Sequence, residues 1–224
     1  MIENKQKSLN LLKLLLFYTI FWLIWCIWEL FLPTKIEAAL GTLLFTLVSS
    51  VVKLSVWTIP AIILVQNYKN DVLFSWREML TSKIKWTFLF VPLGIFAFFN
   101  LFSAFIQNGK ITVSSEFEWI TLIGTVLLVG VTEETVFRGF FLNALCKKMK
   151  LWPAIIITAT AFLLIHFPIW LYKGIFLTTL LSGGFIIVFA LSVLFSWVFV
   201  KGKNIIVPII LHMVWNLFVV VLLG

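Results

Sequence analysis

The sequence predicts an all-α fold, a polytopic transmembrane helix bundle of about seven spans. Hydrophobic residues make up 62% of the 224-residue chain and charged residues 12%, whereas soluble domains hold roughly 45–50% and 25%. The mean hydropathy is +1.12. Apolar runs of about 20 residues, the length that crosses the hydrocarbon core, recur with short connections between them. We therefore predict a single integral membrane domain over residues 1–224.

The apolar runs, taken in order along the chain, define the spans. The first run lacks a small-residue cleavage site and is long enough to cross a bilayer, so we interpret it as a retained helix rather than a signal peptide. The longest connection, 67–85, is charged and contains a predicted interfacial helix at 74–80. The predicted spans are about 10–32, 41–66, 86–106, 119–145, 153–171, 175–199 and 204–223.

The basic residues predict the orientation of the bundle. The net charge is +8, but the basic side chains lie in short loops and form no patch of the nucleic-acid-binding kind. Because cytoplasmic loops carry excess Lys and Arg, we predict a multi-pass cell-membrane protein, surrounded by lipid, with a cytoplasmic N-terminus and an outer C-terminus. The outer side then holds Lys35, Lys110 and Lys173, and the cytoplasmic side holds Lys5, Lys7, Lys13, Lys69, Arg77, Lys83, Lys85, Lys147, Lys148, Lys150, Lys201 and Lys203.

Three charged residues, Glu133, Glu134 and Arg138, lie inside the predicted fourth span. A charge at bilayer depth costs roughly 2.5–3.5 kcal/mol on insertion scales, so such residues usually have a function. Glu134 and Arg138 are four residues apart and share a helix face, which predicts a structural ion pair. Glu133 is rotated away by about 100°. A desolvated carboxylate without a counter-charge suits a general base or acid.

The two histidines of the chain also lie in apolar segments. His166 follows Phe162 by four residues in the predicted fifth span, and His212 precedes Asn216 by four in the seventh. Each pair therefore shares a helix face. At about 1.5 Å per residue, the depths from the predicted cytoplasmic ends are about 20, 20, 12 and 18 Å for Glu133, His166, His212 and Asn216. The similar depths predict that these four side chains form one site.

Each of these residues also has a structural interpretation. A buried histidine is ordinarily an interhelical hydrogen-bonding group, and an asparagine can join helices in the same way. Phe162 is expected to pack rather than react, and to support the site together with Glu134 and Arg138. Lys53, in the second span, is expected to extend its ammonium group toward the interface.

The ordered motifs Glu-Glu-x-x-x-Arg, Phe-x-x-x-His and His-x-x-x-Asn resemble those of the CPBP family of intramembrane proteases. This family contains CAAX-processing enzymes and bacterial proteins tied to bacteriocin processing and self-immunity. The motifs lie in order within residues 119–224, which we expect to be the catalytic core. The N-terminal spans carry no matching motif.

The resemblance implies an intramembrane endopeptidase of the CAAX-protease type. Glu133, assisted by His166, would activate water, and His212 and Asn216 would stabilise the oxyanion of the tetrahedral intermediate. The family is often described as metalloproteases. Glu133, His166 and His212 could ligate zinc, but the sequence lacks a His-Glu-x-x-His helix. Whether a metal is bound stays open at this point.

The expected substrate is a peptide or protein segment cleaved near the cytoplasmic leaflet, since His212 is only about 12 Å from that end of its helix. A lysine-rich, arginine-poor composition suggests a bacterial source, and peptide processing or self-immunity fits such a short-looped protein. Two other classes stay open: a non-catalytic immunity or sensor-modulating partner, and a proton-coupled transporter. The intact motifs favour the peptidase. The sequence specifies neither the substrate nor the oligomeric state.

Overall fold

A computed structural model describes residues 8–115 and 117–223. Within these residues the chain forms helices and no β-strand, and seven helical segments are long and apolar enough to cross a membrane. The predicted all-α bundle of seven spans is confirmed. The topology signals Lys5 and Lys7 and the terminal Gly224 lie outside the described residues. The seven spans are Leu11–Phe31, Pro33–Asn67, Trp86–Asn108, Trp119–Leu145, Leu151–Tyr172, Gly184–Gly202 and Ile206–Leu223.

Two spans begin at positions other than the predicted ones. The second begins at Pro33, because a proline in the first helical turn loses no hydrogen bond, and the helix then kinks at Gly41, where φ is 76°. That positive φ suits glycine, which has no Cβ. The sixth begins at Gly184, because a short helix, Phe176–Leu181, and a turn at Gly183 with φ of 77° precede it.

The connection between the second and third spans, residues 68–85, folds over one end of the bundle, and we name it the cap segment. The predicted interfacial helix is present at Trp76–Thr81, and it begins with a capping box between Ser75 and Glu78. Ser75 accepts a hydrogen bond from the Glu78 N–H and the Glu78 carboxylate accepts one from the Ser75 N–H. These bonds satisfy backbone donors at the start of the helix.

Polar side chains attach the cap segment to the spans beneath it. The Asn143 amide accepts a hydrogen bond from the Phe74 N–H at 2.8 Å and donates one to the Phe74 carbonyl at 2.8 Å. The Ile205 N–H donates to the Met79 carbonyl at 3.0 Å, and Met79 is 0% exposed. A Cβ at Gly139 would lie 2.8 Å from the Trp76 ring, so the cap helix packs directly on the fourth span.

The cap segment covers the end of the bundle that carries most of the basic residues. We name this end the lysine-rich end, and the opposite end, which carries Lys35, Lys110 and Lys173, the lysine-poor end. The second, fourth and sixth spans run from the lysine-poor end toward the lysine-rich end.

Aromatic rings join the N-terminal spans to the fourth and fifth spans. Trp57 packs edge-to-face against Phe21 and Trp25, with both ring centroids at 4.7 Å. Phe137 packs in the same way against Trp57, at 6.3 Å, and against Phe162, at 5.0 Å. Such pairs contribute about 0.5–1.5 kcal/mol each beyond area burial. In a bilayer, where lipid tails are as apolar as leucine, specific packing of this kind holds helices together.

Candidate active site

Glu134 and Arg138 form the expected ion pair, and the structure places it in the centre of the bundle. Both residues are 0% exposed. Arg138 Nη1 donates to Glu134 Oε1 at 2.9 Å, and Nη2 donates to the Ser192 hydroxyl at 2.7 Å and to the Ser192 carbonyl at 3.1 Å. The Arg138 guanidinium carbon lies 4.6 Å from the centroid of the Phe162 ring. The pair thus joins the fourth, fifth and sixth spans.

Glu134 has a second partner that the sequence did not indicate. Its Oε1 lies 2.8 Å from His212 Nδ1, which belongs to the seventh span, 78 residues further along the chain. The contact depends on close helix packing, because a Cβ at Gly130 would lie 2.7 Å from Met213 Cγ and 3.3 Å from the Ile209 carbonyl oxygen. Since a carboxylate only accepts hydrogen bonds, His212 Nδ1 is the protonated nitrogen, and Glu134 fixes the orientation of the imidazole ring.

Glu133 lies beside this network without joining it. The residue is 7% exposed, and its Oε2 has no hydrogen-bond partner among the described residues. The nearest histidine nitrogen, His212 Nε2, is 3.8 Å away, which exceeds hydrogen-bonding distance. The two adjacent glutamates therefore differ: Glu134 Oε1 accepts hydrogen bonds from Arg138 and His212, whereas no such bond holds Glu133 Oε2.

His166 lies at a break in the fifth span. Its Nδ1 donates to the Phe162 carbonyl at 2.8 Å, so the neutral ring carries its lone pair on Nε2. Pro168 follows in the first turn of the next helical segment. A proline has no N–H to donate to the carbonyl four residues before it, and that carbonyl, of Leu164, instead accepts from Trp22 Nε1 at 3.0 Å.

Asn216 joins the seventh span to the fourth. Its Nδ2 donates to the Thr125 carbonyl at 3.0 Å. An amide nitrogen has two hydrogens, so one remains for another acceptor. Asn216 therefore joins two helices, as the structural interpretation expects, and its second amide hydrogen can still be donated to a ligand.

The four predicted site residues line a single cavity of about 780 Å³, which lies within the range of small-molecule pockets. The structure thus brings them together at one cavity, while their catalytic roles stay predictions. The four residues come from the fourth, fifth and seventh spans: Glu133, His166, His212 and Asn216.

The sequence did not predict the opposite wall of the cavity, which comes from the first two spans. Trp25 and Trp57 provide aromatic surface, and Glu29 and Lys53 add charges. Lys53 Nζ lies 5.4 Å from the centroid of the Trp25 ring, so its ammonium group faces an aromatic ring of the cavity wall. Both residues are charged and lie inside a span, which usually indicates a function. Neither lies in a recognisable motif, so the sequence did not assign them to the site.

The cavity opens at the end opposite to the expected one. Its rim contains Glu37, at the start of the second span, and Tyr172 and Lys173, at the end of the fifth, all at the lysine-poor end. The expectation that the site opens toward the lysine-rich end is therefore wrong. The physical reason is that the cap segment and the buried rings of Phe137 and Phe140 fill that end.

Residues 115–218 match the model of a known family, type II CAAX prenyl endopeptidase Rce1-like. The matched residues contain most of the C-terminal core of this chain, which is therefore similar to the Rce1-like family. This agrees with the resemblance to CPBP proteases and supports an intramembrane endopeptidase function. No curated protein and no solved structure matches the chain.

The Rce1-like region contains the whole polar cluster and excludes the facing wall. It begins before the fourth span and ends at Phe218, within the seventh. All the motif residues, from Glu133 to Asn216, fall inside it, whereas Glu29 and Lys53 fall outside. The matched region thus contains the residues of the candidate reaction, whereas the residues of the opposite wall lie outside it.

The candidate zinc ligands do not form a metal site in this structure. Among the described residues, no three His, Cys, Asp or Glu side chains come together in an arrangement that could hold a metal ion. Glu133, His166 and His212 border the same cavity, but His212 Nδ1 is already bound to Glu134. No step of the chemistry below passes through a metal.

Proposed function

We propose that this protein is an intramembrane endopeptidase of the CAAX-protease type in which Glu133 activates water for attack on a peptide carbonyl. One observation carries the proposal: Glu133, unlike Glu134, borders a cavity shared with both histidines, and its Oε2 has no hydrogen-bond partner among the described residues. A carboxylate oxygen that borders the cavity and has no hydrogen-bond partner can accept a proton from a water molecule bound there.

The proposed reaction begins when a water molecule in the cavity donates a proton to Glu133 as its oxygen attacks the scissile carbonyl carbon. The carbonyl oxygen becomes an oxyanion in a tetrahedral intermediate. Glu133 then passes the proton to the leaving nitrogen as the C–N bond breaks. His166 supports this cycle, because its neutral ring has an acceptor nitrogen, Nε2, that can hold the attacking water by accepting its second hydrogen.

Two groups on the seventh span are proposed to stabilise the oxyanion. Asn216 retains one amide hydrogen after its bond to the Thr125 carbonyl. His212 donates from Nδ1 to Glu134, and it can donate from Nε2 as well when both ring nitrogens carry a hydrogen. Donors held in fixed positions stabilise developing charge without the reorganisation that free water molecules would need. We therefore assign Glu134 a positioning role for His212.

We propose that the substrate is a peptide or a protein segment and that the biological role is peptide processing or self-immunity in a bacterial membrane. Support comes from the Rce1-like match and from the cavity of about 780 Å³ with its tryptophan-lined wall. Aromatic rings suit apolar side chains or an attached lipid. Both prenylated and unprenylated peptides are candidate substrates, and the experiment below compares their hydrolysis directly.

The test uses the purified chain in liposomes with two fluorogenic peptides that differ only in a prenyl group on one cysteine. We expect hydrolysis of at least one peptide. A single turnover in water labelled with oxygen-18 should place one labelled oxygen in the new carboxylate. If Glu133 attacked the peptide directly, the first product would keep unlabelled oxygen.

Two results would point to the other function classes. Absence of hydrolysis together with proton flux into the liposomes would indicate a transporter. Absence of both, with a cellular phenotype that survives Glu133→Gln, would indicate a non-catalytic immunity or sensor-modulating partner.

A further inference from the structure

We propose that the catalytic cavity is entered from the lysine-poor end of the bundle and that this end faces the outside of the cell. The substrates would then be peptide segments presented at the outer leaflet. That these peptides are cleaved rests on the proposed function, whereas the direction of access is inferred from the geometry and charge of the bundle alone.

Each span that lines the cavity does so mainly with its half nearer the lysine-poor end. The first span contributes Trp25, Trp28 and Glu29, which lie in its last seven residues. The second contributes residues from Pro33 onward, and Trp57 marks the deepest point. The fourth, fifth and seventh spans likewise contribute the half that lies nearer the lysine-poor end. The cavity is therefore a one-sided cleft with its floor near the middle of the bundle.

The lysine-rich end is closed in the described part of the chain. Besides its bonds to Asn143 and Ile205, the cap segment is held at its far end. Asn204 Nδ2 donates to the Ser82 carbonyl at 2.5 Å, and Lys85 Nζ donates to the Lys201 carbonyl at 2.8 Å. Beneath the cap segment, Phe140 and Leu142 are fully buried. A peptide arriving from this side would have to displace both the cap segment and the core.

The two ends of the bundle differ in the number of basic residues that they carry. In the loops and at the span ends, the lysine-poor end carries Lys35, Lys110 and Lys173. The other end carries Lys69, Arg77, Lys83, Lys85, Lys147, Lys148, Lys150, Lys201 and Lys203. Short loops rich in Lys and Arg stay in the cytoplasm. The closed end is therefore the cytoplasmic one, and the open end faces outward.

The chemistry of the rim fits a peptide that is partly apolar and carries charge. Glu29 and Glu37 contribute carboxylates, Lys173 contributes an ammonium group, and Trp28 and Trp170 contribute rings. Aromatic rings favour the level of the lipid headgroups. A segment lying at the outer interface can place its apolar part toward the rings and its polar backbone toward the charges.

The test is the reaction of engineered cysteines with a sulfonated maleimide that does not cross membranes. The two free cysteines, Cys26 and Cys146, are first replaced by alanine. Single cysteines are then placed at the rim by Glu37→Cys and inside the cavity by Ser49→Cys. Lys83→Cys and Lys147→Cys report on the lysine-rich end. Leu43→Cys, on an exposed apolar surface of the second span that is 60% accessible, is the lipid-facing control.

We expect the rim and cavity cysteines to react in intact cells, the two at the lysine-rich end to react only after permeabilisation, and the control not to react. Reaction of the cavity cysteine only after permeabilisation would overturn the proposal, and so would its failure to react under either condition. None of these readings requires peptide cleavage, so they stand apart from the proposed function. If a peptide is cleaved, right-side-out vesicles should cleave it from outside, and cleavage by inverted vesicles alone would also overturn the proposal.

Discussion

The first two spans build one wall of the cavity, and the fourth, fifth and seventh spans build the opposite wall with different chemistry. The C-terminal wall carries hydrogen-bonded ionisable groups, with Glu134 bound to both Arg138 and His212. The N-terminal wall carries rings and three charged residues, Glu29, Glu37 and Lys53. We infer that one wall performs the reaction and the other recognises the substrate. A reaction constrains residue types and spacings, whereas recognition can change with each substrate, and this explains why motifs occur on one wall alone.

The largest effect should come from breaking the C-terminal wall at Arg138. The change Arg138→Leu leaves the Glu134 carboxylate buried without its cation, and such losses cost about 3–5 kcal/mol. We expect a large drop in thermal stability and yield, measured by unfolding in detergent. Ser192→Ala, which removes one hydroxyl acceptor, is the matched control and should cost about 1 kcal/mol. Equal stability of the Arg138→Leu variant and the wild type would show that the buried Glu134–Arg138 pair does not stabilise the fold.

A smaller effect on folding and a clear effect on rate should follow from removing the Glu134–His212 contact. The change His212→Gln keeps a polar side chain but cannot become charged, so we expect kcat to fall about 10²-fold with KM little changed. A fall in kcat at an unchanged KM and an unchanged unfolding temperature would separate the loss of an oxyanion donor from a packing defect. A His212→Gln variant that keeps the wild-type kcat would contradict the assignment.

The N-terminal wall should affect binding rather than rate. Lys53→Met keeps the length of the side chain and removes its charge, so we expect KM for a charged peptide to change several-fold, by about 1 kcal/mol, with kcat retained. Lys35→Met, an exposed lysine at the lysine-poor end, is the matched control and should change neither constant. A loss of kcat in Lys53→Met with unchanged KM would move Lys53 from recognition to chemistry.

The smallest effect is expected at the lysine-rich end, outside both walls. Partial desolvation acts to raise the pKa of Asp71, but the Leu9 N–H and the Lys148 ammonium group outweigh it and hold that pKa below its ordinary value. A lowered folded-state pKa stabilises the fold above the unfolded-state value, about 3.9, and this contribution is lost as the pH falls through the folded-state value. We expect Asp71→Asn to cost up to about 1 kcal/mol at neutral pH and nothing at pH values below the folded-state pKa. An equal cost at both pH values would contradict the electrostatic origin.

The sequence predicted most of the fold and one half of the cavity. Span number follows from apolar length alone, and the contact between Glu134 and Arg138 follows from a local spacing of four residues. The contact between Glu134 and His212 joins residues 78 apart, so helix periodicity could not predict it. The direction of the opening depends on how the cap segment packs, and Gly139 and Asn143 reveal that packing only once their neighbours are known.

The central claim is that Glu133 performs the chemistry while Glu134 holds the site together. The most direct measurement is the rate of peptide hydrolysis by Glu133→Gln and Glu134→Gln, with the unfolding temperature taken on the same samples. Glu133→Gln should lower the rate by about 10²–10⁴-fold and leave the unfolding temperature unchanged or raised, because its Oε2 has no hydrogen bond to lose. Glu134→Gln should lower the unfolding temperature. Wild-type rates in Glu133→Gln, or a loss of rate explained by misfolding of that variant, would contradict the account.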